Sequence, residues 1–187
     1  MVTSTSTSTS TDTGTGTARG TGAERKLWAA AAAVTDPELP MLTLADLGIL
    51  REVAVEDDGT AAVWITPTYS GCPALTEMRV DVDRAVRAAG FEHVEVRTAL
   101  SPAWTTDWIT DEGRRKLTEH GISPPGGAPQ RPAGPVPLTL MPTRTVPRCP
   151  LCGAADTEEL SRFGATSCKS LHRCRTCLEP FEHVKEI

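Results

Sequence analysis

Aromatic residues are scarce in this chain: one tyrosine, three phenylalanines and four tryptophans among 187 residues. Any core must therefore be mostly aliphatic and built from small side chains. No apolar run approaches the roughly 20 residues that a membrane-spanning helix requires. The N-terminus lacks the basic-then-apolar pattern of a secretory signal, so the expected compartment is the cytoplasm. An excess of positive charge is also missing: the net charge is −5 and the pI about 5.4. That balance speaks against a general phosphate-backbone binder, which usually carries a basic patch. There is no Gly-x-Gly-x-x-Gly dinucleotide fingerprint and no Glu-x-x-His pair of the kind that builds a di-iron bundle.

Six cysteines are present. In a reducing compartment, paired cysteines point to metal or thiol chemistry rather than to disulfides. Cys149-Pro-Leu-Cys152-Gly153 and Cys174-Arg-Thr-Cys177 are two such pairs. Two thiolates separated by two residues grip one ion from a tight turn, and a second pair completes a tetrahedron. The spacing predicts a zinc ribbon with Cys149, Cys152, Cys174 and Cys177 as ligands. A rubredoxin-like iron site uses the same four thiolates and stays open at this stage. A redox pair would leave the second CxxC without a purpose. The segment 148–187 is too short to fold on an apolar core alone, so the metal is expected to supply most of its stability. Its six basic and six acidic side chains balance, which does not favour nucleic-acid binding, a common use of such ribbons.

Cys168 lies between the pairs as a spare ligand, a reactive thiol or a buried apolar cysteine. His172 and His183 flank the second pair and are expected at the surface.

The rest of the chain reads as an α+β unit. Residues 1–22 alternate Thr, Ser and Gly and are expected to be a disordered tail, because they cannot bury enough apolar surface to offset ordering entropy. Residues 24–34 are rich in helix formers, and Thr35-Asp36-Pro37 ends that helix. A long ordered loop follows, through residue 49. Two strands, 50–56 and 61–66, flank Asp57-Asp58-Gly59, a hairpin signal. Residues 73–89 place Leu75, Met78, Val82 and Val86 on one helical face, with Gly90 at the cap. Residues 92–100 alternate as a strand with Val94, Val96 and Leu100 inward, and Thr110–Glu119 reads as a helix ended by Gly121. A small mixed sheet with packed helices satisfies this order, the second helix crossing between strands two and three. Domain boundaries are expected at 23–122 for this unit, 123–147 for a Pro/Gly-rich linker, and 148–187 for the ribbon.

One cysteine stands apart. Cys72 precedes Pro73, which suits the first position of a helix. That would make Cys72 the N-cap, where the helix end favours thiolate and lowers the thiol pKa. Such a thiol could attack a thioester, hold iron or accept a cluster; a small residue merely capping a helix is the plain alternative. Asp36, Glu38 and Asp46, in the preceding loop, are candidate supporting acids. His93 and His120 are the candidate bases if the thiol were an enzyme's nucleophile.

Asp36-Pro37-Glu38, Asp46-Leu47-Gly48, the Thr68–Pro73 loop with Cys72 and the helix after it resemble the small iron–sulfur assembly proteins that include SufT-like factors. Residues 101–125 together with the ribbon are similar to the PaaD family, also called PaaJ, accessory subunits of the phenylacetyl-CoA epoxidase system. The tail and the proline-rich linker are additions to that pattern. The resemblance implies an iron–sulfur assembly-like domain followed by a zinc ribbon, acting in aerobic phenylacetate breakdown. It implies a non-catalytic role in which Cys72 is a cluster-transfer or docking thiol, with iron or an iron–sulfur cluster held there transiently. It implies as partners the epoxidase components, chiefly the reductase that carries flavin and a [2Fe–2S] cluster, and the iron–sulfur assembly machinery. A purely structural role within the oxygenase and a nucleic-acid-binding ribbon are the alternative readings.

Overall fold

A capping box starts the first helix: Thr21 Oγ1 accepts from the Glu24 amide and Glu24 Oε2 accepts from the Thr21 amide at 2.7 Å. Helix α1 spans Gly22–Ala32, two residues earlier than the alanine run suggests, and buries Leu27 and Ala31. The computed structural model describes residues 21–127 and 146–186. The expected disordered tail therefore lies outside the described residues, except for Thr21 and Gly22, which begin α1. Most of the linker, 128–145, also lies outside them.

The Asp57-Asp58-Gly59 turn forms as expected, and Gly59 takes φ +85°. It joins β1 (Leu50–Val55) to β2 (Ala61–Ile65) in antiparallel register, Val53 opposite Val63. Helix α2 (Leu75–Ala88) then crosses over and β3 (Val94–Thr98) returns parallel to β2. The sheet order is β1-β2-β3. Met78, Val82 and Val86 of α2 are buried in the core, three and four residues apart as the sequence pattern requires. Gly90, at φ +94°, ends the helix. Leu100 is exposed and not inward as expected, because the last sheet bond is Ala99 N–H to Ile65 O and the alternation stops there.

The loop of 33–49 is ordered by its leucines. Leu42, Leu44, Leu47 and Ile49 are buried, and Trp104 Nε1 donates to Leu47 O at 2.9 Å. The third helix, α3 (Asp111–Glu119), is capped by Thr110, whose hydroxyl accepts from the Gly113 amide, and ends at Gly121 in the left-handed region.

After α3 comes a two-residue strand, β4 (Ile122–Ser123), of which the sequence carries no sign. It pairs parallel with β7 (Pro180–Val184) of the ribbon. The ribbon's own strands, β5 (Thr157–Ser161), β6 (Lys169–Cys174) and β7, are antiparallel, and the four-stranded order is β4-β7-β6-β5. Val184 at the end of β7 packs into the core of the first unit. The ribbon is thus seated on the α+β unit by a strand pairing and an apolar contact. No helix among the described residues is long and apolar enough to cross a membrane.

Candidate functional site

The two CxxC segments fold into matching knuckles. In the first, the Cys149 amide donates to Ala154 O and the Gly153 amide to Cys149 O, both at 2.9 Å. In the second, the Cys174 amide donates to Glu179 O and the Leu178 amide to Cys174 O, both at 3.0 Å. Gly153 and Leu178 hold the same place after the second cysteine and both are left-handed, at φ +74° and +67°.

These turns bring the four sulfurs within 4.8 Å of one another, with Cys149–Cys177 at 3.7 Å and Cys152–Cys174 at 3.5 Å. A tetrahedral zinc–thiolate centre with bonds of ~2.3 Å spaces its sulfurs by ~3.8 Å. The donor set therefore fits one ion held by four thiolates. The Cys177 amide donates to Cys174 Sγ at 3.5 Å. That amide, with help from the Thr176 amide, lowers the Cys174 thiol to about 6. Cys149 and Cys174 are buried while Cys152 is exposed, so the centre lies close to the ribbon surface.

His172 and His183 are not surface residues. Each is 3% exposed, and their rings meet edge-on with centroids 5.6 Å apart. His172 bonds Ser170 Oγ at 2.9 Å and stacks on Phe181. His183 Nδ1 faces Ser123 O of β4 at 3.2 Å, and its Nε2 stands 3.5 Å from Glu186 Oε1, an ion-pair separation. Burial and the neighbouring His183 push the His172 imidazole below its ordinary pKa. The sequence does carry a signal for this: Cys174 is an inward ligand on a strand, and a period of two puts His172 and Ser170 on the same face.

A second cleft opens where the ribbon meets the first unit. Leu39, Leu47, Ile49, Met78 and Trp104 form its apolar wall. Asp36, Glu38 and Cys72 line it from the first unit, and Cys168, Val184 and Lys185 from the ribbon. The space it holds for water-sized groups is about 30 Å³, room for an ion or a couple of waters.

Cys72 departs from expectation in two ways. The helix starts at Leu75 with Ala74 as N-cap, so Cys72 lies in the turn before it, its amide donating to Tyr69 O at 3.2 Å. Its thiol is raised, not lowered. Burial is the main cause; the Ala74 amide opposes it, while Glu38, Asp36 and Cys168 add to it. Desolvation disfavours the charged form more than one nearby amide favours it. Cys168 is also raised, chiefly by burial, and Thr166 Oγ1 sits 3.0 Å from its sulfur.

Of the three candidate acids, two reach the cleft. Asp36 is buried, and its Oδ1 accepts from the Glu38 and Leu39 amides at 2.8 and 2.9 Å, so it shapes the turn as well as lining the cleft. Burial pushes the Asp36 carboxyl up against those two bonds, and burial with Asp36 beside it pushes Glu38 up. Asp46 does not line the cleft. Its Oδ2 takes Lys116 Nζ at 2.7 Å and the Thr43 amide at 3.0 Å. Burial alone would raise that carboxyl, but those partners hold it below the usual range. His93 and His120 are exposed and do not line the cleft.

Two stretches of the chain match known families. Residues 24–98 match the family model described as iron–sulfur cluster assembly protein, and residues 133–185 match the PaaD zinc beta ribbon domain. The chain is 41% identical, over 162 residues, to an Escherichia coli K12 protein named as one of the subunits of 1,2-phenylacetyl-CoA epoxidase, covering 87% of this chain and 92% of that one. It is 34% identical over 79 residues to the Fe-S protein maturation auxiliary factor SufT of Staphylococcus aureus, covering 41% of this chain and 88% of that one. Among solved structures, a Bacillus anthracis domain of unknown function, DUF59, aligns with a TM-score of 0.47 at 27% identity, covering 51% of this chain and 91% of that one. With both parts matched and the Escherichia coli relative aligned over nearly its full length, the chain belongs to the PaaD family of phenylacetyl-CoA epoxidase subunits.

Proposed function

We propose that this chain is an accessory subunit of a 1,2-phenylacetyl-CoA epoxidase system, acting in the cytoplasm to mature an iron–sulfur component of that system. The reductase with its [2Fe–2S] cluster is the proposed client. Cys72 is the thiol that receives or passes on the cargo, and the four ribbon cysteines hold a structural zinc ion. The α+β unit at 23–122 carries the thiol, and the ribbon at 148–187 supports it across the linker. The name of the Escherichia coli relative supports the system, and the names of the SufT-type relatives support the maturation role.

The observation that carries the reading is the cleft. It presents Cys72 beside Asp36 and Glu38 in a space suited to an ion, and the ribbon forms one of its walls. Such a site can handle a thiophilic cation or the edge of a cluster. The test is to express the epoxidase components with and without this chain and to measure iron and acid-labile sulfide in each purified component. Cluster-poor reductase in its absence supports the reading; fully loaded components refute it.

A second reading, in which the chain only holds the oxygenase together, draws on Leu151 and Leu178. Both project from the knuckles and are 60% and 68% exposed, as apolar groups waiting for a partner surface would be. Co-purification with the oxygenase at fixed stoichiometry, with every component loaded, would favour it.

A further inference from the structure

Cys168 and Cys72 belong to different parts of the chain, yet they line one cleft. The architecture that brings them there is specific. β4 of the first unit pairs with β7 of the ribbon, Val184 enters the first core, and the Lys185 amide donates to Cys168 O at 3.0 Å. Cys168 is not among the four clustered ribbon ligands, so its thiol is uncommitted to the ribbon's ion.

We propose that Cys72, Cys168 and the Glu38 carboxylate form a second metal site, for one thiophilic divalent cation of the ferrous-iron type, complete only when the ribbon is seated on the first unit. This rests on the reading of Cys72 as the thiol that handles the cargo. Two thiolates and a carboxylate suit a borderline cation. On binding, the two thiols release two protons to solvent, and the two thiolates then balance the ion's charge. Glu38 adds one negative charge, and the ammonium of Lys169, paired with Glu182 at 2.7 Å, acts against it electrostatically. Asp36 is the lesser candidate, since its Oδ1 is already bound to two amides. Among the described residues, only the ribbon quartet gathers three or more such donors within 4.8 Å. The cleft donors are therefore more widely spaced than the ribbon quartet, and the proposed site requires them to close on the ion by side-chain rotation. That suits a station that must also release its cargo better than a closed structural centre does.

The test uses the full chain with one zinc ion in the ribbon, kept reduced and without oxygen, and Co²⁺ as the spectroscopic probe. Wild type should take up one further equivalent with thiolate-to-cobalt charge-transfer absorption while keeping its zinc. Cys72→Ser and Cys168→Ser should each bind that equivalent at least about tenfold more weakly, and Glu38→Gln should weaken it too. Zinc content of one per chain in each variant shows that the ribbon is still folded. Absence of the second equivalent in wild type, its uptake only at the expense of zinc, or unchanged binding by Cys168→Ser would overturn the site. If wild type binds no second ion while Cys72→Ser still fails to load the client, the composite site falls and the maturation reading stands.

Discussion

Cys72 and Cys168 share one cleft, and burial there holds both thiols toward the neutral form. Only thiolate reacts with an alkylating agent. With the ribbon loaded with zinc, both thiols should alkylate more slowly at pH 7 than a free thiol does. The rate should still be climbing above pH 9.0, the ordinary value for the group. A rate that levels off well below that pH would mean a thiolate stabilised by the helix end, which is what the sequence alone suggests. Mass spectrometry of each modified peptide across a pH series separates the two thiols.

Gly48 lies between Leu47 and Ile49 of the cleft's apolar wall. It sits at φ +65°, and a β-carbon there would lie 2.5 Å from both Cβ and O of Trp108. Neither atom can retreat without moving the backbone that carries Ile109 and the cap of α3. Gly48→Ala should therefore destabilise the protein by about 2–4 kcal/mol, left-handed strain and overpacking together. Thermal or denaturant unfolding reads this directly, and a change under about 0.5 kcal/mol would contradict the packing described.

Leu178 has the opposite balance. It takes φ +67° without being glycine and is largely exposed, so it gives up backbone strain for little burial. Leu178→Gly should keep or raise ribbon stability, by up to about 1 kcal/mol. Competition with a chelator for the ribbon metal measures it. A marked loss of metal affinity would show that Leu178 supports the knuckle through its side chain.

Much of this architecture is legible in local chemistry. The Asp57-Asp58-Gly59 hairpin, the apolar face of α2 and the CxxC pairs each depend on residues a few positions apart. What stays hidden depends on contacts distant in sequence. β4 is two residues long and has meaning only beside β7. Pro73 suits a helix entry and so points to an earlier start for α2, whereas here it follows a turn through Cys72. A lowered thiol pKa follows from that local picture, but burial decides the direction instead. Cys168 reaches the cleft only through the seating of the ribbon, which no local pattern encodes. His172 is the exception, since strand alternation from Cys174 places it inward even though its position beside the second cysteine pair suggests the surface.

We propose Cys72 as the working thiol of a maturation factor. The most direct measurement restores a strain lacking this chain with wild type or with Cys72→Ser, then assays iron and acid-labile sulfide in the purified reductase. The reductase should be loaded with its cluster in the wild-type strain and largely devoid of it with Cys72→Ser, although the variant accumulates with its ribbon metal intact. A fully loaded reductase in the Cys72→Ser strain would contradict it.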